Sequence, residues 1–427
     1  MKSTLVHPEP RSPWRTRAAV ATAAFALTSL AHTGCDSGPD SVVEGIGAPT
    51  VLQSSDVHVI GTSDVIAAVE DLEVLSDGAV WVLNSLEPFV IGFGPDGDVI
   101  QVHGSQGGGP EEFRAPTAFV SGGIDGQAWL FDPPRHALIE ISHQGTVWSE
   151  ISLSNDLLLP GSLRGGMNLF GMVNNGVRMA RMGDEIILAT NTGSMDLGWL
   201  TFWALNWAAD LVALDLETGS AQKVISLGEA LGDPTVDFER TDGGLPLWFR
   251  LWTVCADTQI RVYDRLRHEV RAFARDGTEL APTALPPVRL TEATPQQFAR
   301  GVFTFVFTET AGAVGAEASA ADSARILNEI VQGVQGDPGQ LAAYLPRYVD
   351  FRCATDGTLW IQPYDVDLGA MRGGPVWLRI TPGGVTDEIH LPDRFDAHRF
   401  TSERIWGVQR DEYDVASVAW IAIPSGR

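Results

Sequence analysis

The side chains of this chain that are suited to chemistry recur at spread-out positions and form no compact motif. Five arginines, Arg114, Arg178, Arg250, Arg347 and Arg399, each stand near the start of an apolar, strand-like run. A guanidinium presents a planar fork of donors that matches a carboxylate, a phosphate or a sulfated sugar. A partial ring of them would be a local anion site in an otherwise acidic chain. The competing use is structural, each arginine tying down a carboxylate such as Glu112, Asp350 or Asp396. Trp203 and Trp207, together with Trp199 and Phe202, are spaced so that a helix would gather their rings on one side. That surface suits stacking on a sugar, contact with a partner, or packing as an internal plug.

Catalytic signals are sparse. His398 is the one histidine expected near the mouth of a central channel, and His58, His103, His136, His143, His268 and His390 fall on outer strands or peripheral turns. A catalytic zinc site needs several converging histidine or carboxylate ligands, and no set of inward histidines is available. No Ser/His/Asp set assembles either. Gly92-Phe93-Gly94-Pro95-Asp96-Gly97 matches G-x-G-x-x-G on paper, but no helix follows it to receive a pyrophosphate. Asn84, Asp132, Asp264, Asp365 and Asp367 lie at or just past the end of a strand, where a carboxylate usually caps the next loop. Asp365-Val366-Asp367 leaves calcium open as a cofactor; no other cofactor or resident metal is expected.

The elements that position these residues are repeats of one phrase: an acidic Gly turn followed by a strand that often holds Trp. It reads Ser76-Asp77-Gly78-Ala79-Val80-Trp81-Val82, Ile124-Asp125-Gly126-Gln127-Ala128-Trp129-Leu130 and Thr355-Asp356-Gly357-Thr358-Leu359-Trp360-Ile361. Weaker copies begin at Gly183, Ala256 and Ser402, which makes six. Short antiparallel units of this size cannot bury their own faces, so they must stack, and radial stacking gives a β-propeller. The fold class is all-β, a six-bladed propeller of four-stranded antiparallel blades. The last unit holds only three strands, Ala397–Phe400, Ile405–Gln409 and Ser417–Ile423, and Val57-His58-Val59-Ile60 belongs to no other unit. That N-terminal strand is expected to complete the last blade and close the ring.

Strand parity sorts the loops. The turns joining first to second and third to fourth strands lie on one face of the disc and are short. The other face receives Ser154–Gly176, Asn191–Ala209, Gly228–Leu247, Pro287–Pro346 and Val366–Pro375. Loops this long are usually functional or disordered. The largest contains a helical insertion at about 291–345, between blades four and five, with helices at Pro295–Phe307 and Ala320–Gln332 behind the N-cap candidates Thr294 and Ser319.

Residues 1–35 read as an export signal: Lys2, Arg11, Arg15 and Arg17 precede an uncharged Ala-rich run from Ala18 to Ala31. The run ends at Gly34-Cys35, which resembles a bacterial lipoprotein cleavage site and implies lipidation of Cys35, although His32 stands where that pattern prefers Leu. Residues 36–55 read as a linker and 56–427 as the propeller. The net charge of −25 argues against nucleic acid as a partner. Cys255 and Cys353 precede the acidic turns of neighbouring repeats, and in an oxidising compartment they either pair or serve as small apolar side chains.

The Asp-Gly turns, with Gly109-Pro110-Glu111-Glu112-Phe113 and Pro116, resemble NHL-repeat and related six-bladed propellers of bacterial lipoproteins over residues 56–424. The resemblance departs at Glu111, where a second Gly is usual, and the motif occurs once. The expectation is an exported, membrane-anchored, non-catalytic propeller whose loop face binds a protein, a peptide or a carbohydrate. The alternative is a calcium-dependent lactonase-like hydrolase or lyase, with Glu70, Glu112, Asp350 and Asp396 converging on a metal at the channel mouth.

Overall fold

The computed structural model describes residues 48–61, 66–122, 127–142, 149–154, 179–191, 209–231, 251–256, 258–264, 267–286, 347–364, 374–384 and 386–424. They form six antiparallel sheets in chain order. Blade I comprises Val69–Val74, Val80–Asn84, Val90–Phe93 and Val99–His103. Blade II comprises Ala118–Phe119, Gln127–Asp132, Ala137–Ser142 and Glu150–Ser152. Blade III is Met179–Met182, Glu185–Asn191, Ala209–Asp215 and Ala221–Ser226, and blade IV is Trp252–Cys255, Gln259–Asp264, Glu269–Ala274 and Glu279–Ala284. Blade V is Tyr348–Cys353, Leu359–Pro363, Val376–Ile380 and Thr386–His390. Blade VI takes Phe395–Phe400, Arg404–Arg410 and Ala416–Ala422 from the C-terminal part of the chain and its outer strand, Val57–Gly61, from the N-terminal part. The closing strand pairs antiparallel with Ala416–Ala422, His58 facing Trp420. Thr50–Val51, within the stretch read as linker, pairs in parallel with Ile389 and His390 as a fifth strand of blade V. The helical insertion expected at about 291–345 lies outside the described residues.

The repeated phrase folds as it does for local reasons. Asp77 Oδ1 accepts the Ala79 N–H at 3.0 Å, and Asp356 Oδ1 the Thr358 N–H at 2.9 Å, so each Asp mimics a turn of backbone. Gly78 and Gly357 follow with φ of +85° and +83°, which a β-carbon would oppose. The Trp three residues beyond this Gly then points into the gap between blades. Trp81 packs in the wedge between blades I and II, Trp129 between II and III, Trp360 between V and VI, and Trp406 between VI and I. Two further wedges, around Trp252 and Ile260 and around Phe351 and Ile361, fill the III–IV and IV–V junctions. The apolar core is therefore six wedges, each shared by two blades.

A covalent bond and a close backbone contact mark two junctions of the ring. Cys255 and Cys353, on the innermost strands of blades IV and V, form a disulfide with a Cα–Cα distance of 5.3 Å. At the closing junction, the turn at Gly97 of blade I abuts the closing strand. A β-carbon at Gly97, where φ is +87°, would lie 1.7 Å from the Ile60 carbonyl oxygen. Gly97→Ala is expected to destabilise the fold by about 2 kcal/mol or more, because left-handed strain and a backbone clash act together. Chemical denaturation checks this, and a loss under about 0.5 kcal/mol, the range of an ordinary surface substitution, would refute the contact.

Candidate functional site

Polar groups concentrate on the innermost strands where blades VI and I meet. Both strands are bulged: the ladder slips between Val69 and Asp71 and between Ala397 and Arg399, leaving Glu70 and His398 as the extra residues. A bulge re-aims the side chains that follow it. Arg399 consequently reaches across the junction, donating from Nε to Glu73 Oε2 at 2.6 Å and from Nη2 to Asp71 Oδ2 at 3.1 Å. The same carboxylates continue into blade II, where Asp71 Oδ2 accepts the Phe119 N–H at 2.9 Å and Glu73 Oε1 the Gly122 N–H at 3.0 Å. Three blades are thereby laced by one arginine and two buried acids.

His398 lies between two carboxylates, with Nδ1 3.6 Å from Asp71 Oδ1 and Nε2 3.7 Å from Asp396 Oδ2. Burial on its own would depress the imidazolium, but Asp396 and Asp71 outweigh it and raise the pKa to about 9. Burial likewise opposes ionisation of Asp71; the Arg399 charge, His398 and the Phe119 N–H together hold it well below the usual carboxylate range. At neutral pH this is a set of paired ions, and a histidine already protonated is a poor general base. It acts as a clamp.

The four carboxylates considered for a metal are dispersed among other partners. Glu112 Oε2 accepts the Gly109 N–H at 2.7 Å, within the Gly-Pro-Glu-Glu-Phe link. Asp350 accepts the Phe351 N–H at 2.6 Å and the Arg352 Nε–H at 3.1 Å, Asp396 faces His398, and Glu70 is exposed at the bulge. Among the described residues no three His, Cys, Asp or Glu side chains gather closely enough to hold a metal ion.

The arginines do not form one ring among the described residues. Arg399 stands one residue before the end of its strand, which begins at Phe395 and not at Ala397, and is committed to Asp71 and Glu73. Arg114 donates from Nη1 to the Pro134 carbonyl at 3.1 Å, while its main-chain N–H is held by Asp132 at 2.7 Å. Arg347 is half-buried just ahead of its strand, its carbonyl accepting the Tyr364 N–H. Of the candidate binding residues among the described residues, His398 and Arg399, neighbours in sequence, are the ones that share a cluster. Arg178, Arg250, Trp203, Trp207, Asp365, Asp367 and the lipidation candidate Cys35 lie outside the described residues.

The loop face carries a feature that sequence reasoning missed. Leu86, Tyr413 and Val415 are 62%, 79% and 57% exposed, and they sit in the second-to-third-strand loops of the adjoining blades I and VI. Both loops are fastened from beneath. The Asn84 amide donates to the Leu86 and Pro88 carbonyls at 2.8 and 3.1 Å and accepts the N–H groups of Ala67 and Ala68. Asp411 Oδ1 accepts the Tyr413 and Val415 N–H groups at 2.8 and 2.9 Å, while Arg394 grips the Asp411 carbonyl. The sequence signal for this was the Asp411 Asx turn; that Tyr413 projects outward is a tertiary property.

No family model matches the chain, and no curated protein matches it. Solved structures do. The chain is similar to virginiamycin B lyase from Staphylococcus aureus, at 11% identity and a TM-score of 0.39, over 86% of this chain and 99% of that one. It is similar to the calcium-binding protein regucalcin of Agrobacterium tumefaciens, at 12% identity and a TM-score of 0.39, over 89% and 98%. It is also similar to a candidate exported protein of Bacteroides fragilis, at 8% identity and a TM-score of 0.45, over 88% and 99%.

Two outcomes follow from the clamp. The stabilisation His398 supplies is full below its unfolded-state pKa near 6.5 and disappears as pH rises through about 9. His398→Gln is expected to cost on the order of 1–3 kcal/mol at pH 6, and the gap from the native chain should close above pH 9 in denaturation curves taken across pH. Arg399→Met leaves Asp71 and Glu73 without their cation and is expected to cost about 3–5 kcal/mol at pH 7. Thermal unfolding within the error of the native chain would show the pair to be inconsequential.

Proposed function

We propose that this chain is an exported, lipid-anchored, non-catalytic propeller of the NHL-like type, which binds a protein, peptide or carbohydrate partner on its loop face. The observation that carries the reading is the rim of Leu86, Tyr413 and Val415, exposed apolar groups on loops made rigid by Asn84 and Asp411. Rigid presentation lowers the ordering cost of binding, and an exposed aromatic beside aliphatics is a frequent energetic centre of an interface. The strand ends from which residues 155–178, 192–208, 232–250, 287–346 and 365–373 depart lie at this same end of the blades. Arg347, half-buried just ahead of the first strand of blade V, stands at this end as well, and Arg178, Arg250, Trp203 and Trp207 belong to those connecting stretches of the sequence. The disulfide supports an oxidising compartment outside the cytoplasm, and Gly34-Cys35 supports the anchor.

The lactonase-like alternative draws no specific support from Glu112, Asp350 and Asp396, which serve separate partners, or from Glu70, which is exposed at the bulge. The test separates the two. With a photoreactive residue in place of Tyr413, irradiation of cells is expected to give one discrete adduct. Leu86→Ser and Val415→Ser should weaken that adduct at least tenfold, about 1.4 kcal/mol, while leaving unfolding within about 0.5 kcal/mol of the native chain. Absence of any adduct, together with calcium-dependent turnover of lactones by the purified chain, would replace the binding reading with the hydrolytic one.

A further inference from the structure

Acids outnumber Lys and Arg in this chain by 54 to 29, so an arginine with no acid to hold is out of the ordinary. Arg135, Arg271, Arg275, Arg379 and Arg399 each hold a carboxylate. Arg404, the first residue of the second strand of blade VI, does not. Among the described residues, no carboxylate and no carbonyl accepts a hydrogen bond from its guanidinium. Its Cζ instead lies 4.1 Å from the ring centroid of Trp420 and 5.6 Å from that of Trp406. Contact with aromatic faces holds a guanidinium in place through its flat side and leaves the N–H groups at its edge available as donors.

Three strands build this platform. Trp406 and Trp420 are directly opposite each other in the ladder, and His58 of the closing strand faces Trp420 from its other flank. Paired positions share one face of a sheet, so the three rings form a row across it. The His58 ring stacks on Trp420 with centroids 4.2 Å apart and 18° between the planes, and the two indole centroids are 6.4 Å apart. Arg404 is paired with Ala422, two residues beyond Trp420, and reaches the indole along the diagonal. The row is partly open: Trp406 is buried, Arg404 and Trp420 are half-buried, and His58 is exposed. It stands at the short-turn end of blade VI, just after the turn at 401–403, whereas Tyr413 and Val415 lie in the loop at the opposite end of the same strands.

We propose that Arg404 is the binding group of an oxyanion site on the short-turn face of blade VI, with Trp420 and Trp406 as its platform and His58 as a positioning residue. The ligand chemistry is an edge of two coplanar oxygens, as a phosphate or a carboxylate group presents to a guanidinium fork. Because one ring of the platform comes from the closing strand, the site exists only in the closed propeller, and its ligand stabilises that state by mass action. Occupancy of this site and binding at the loop rim are independent readouts.

The test titrates the full chain with inorganic phosphate and, separately, with acetate, against chloride at constant ionic strength. The side-chain Nε–H resonance of Arg404, identified by its loss in Arg404→Lys, is expected to move and saturate, and the melting midpoint to rise. Whichever anion saturates the shift at the lower concentration identifies the source as a phosphate or a carboxylate. Arg404→Lys keeps the charge without the fork and should lower affinity by about tenfold or more. His58→Ala should weaken binding and His58→Phe, which keeps a ring against Trp420, should restore it, a pattern that charge alone would not give. Should a variant fail to fold, the resonance of the native chain decides. A resonance that moves no further with phosphate or acetate than with chloride, equal affinity in Arg404→Lys, or binding indifferent to His58→Ala would each overturn the proposal.

Discussion

The structure depends on ring closure. A four-stranded blade has two apolar faces and can cover neither alone, so each wedge of core needs two blades, and a sixth wedge exists only when the last blade meets the first. Trp406, Val408 and Val418 of blade VI supply one wall of that wedge, and Leu72, Val80, Val82 and Phe93 of blade I supply the other. The N-terminal strand Val57–Gly61 completes the wall from outside, so an N-terminal and a C-terminal strand are held in one sheet.

Seen in this light, the paired ions at the VI–I junction have a structural logic. Inside blade VI the outer strand is not joined to the third strand by a short link, and the adjoining VI–I junction is laced by Arg399 to Asp71 and Glu73, and by those acids onward to blade II. Buried ion pairs contribute little net stability beside well-packed apolar groups, but they penalise misplacement strongly because a lost partner leaves a buried charge. A clamp of this kind fixes register where apolar packing alone would tolerate a slip. The IV–V junction is held covalently instead, by Cys255–Cys353.

Much of the scaffold was legible in the sequence because its signals are local. Asp-Gly turns need only their own residues, the period-two strands of Val99–His103, Glu269–Ala274 and Val376–Ile380 need only alternation or continuous apolarity, and the missing outer strand followed from counting. The candidate site was far less so. Arg399 looked like a residue near a strand start because the strand begins two residues earlier, at Phe395, and its bulge leaves no mark in the pattern; its true partners are Asp71 and Glu73. Asn84 and Asp132 were expected to cap the following loop. Asn84 does so and also ties down the incoming link, while Asp132 holds the Arg114 and Ala115 N–H groups before its own blade. Such partners lie 16 to 18 residues back along the chain, beyond any local rule.

The same separation of scales explains where a binding surface can sit. The inner strands are occupied by clamps whose groups are paired and buried, so changing them to recognise a ligand would cost closure. The loops at the rim are fastened by Asn84 and Asp411 through their main-chain groups, which leaves the side chains of Leu86, Tyr413 and Val415 free of any structural duty to the core. Backbone-anchored loops can vary their side chains without disturbing the six wedges. An exposed tyrosine on a loop held through its main chain is positioned by the fold, and the binding reading proposed above rests on that positioning.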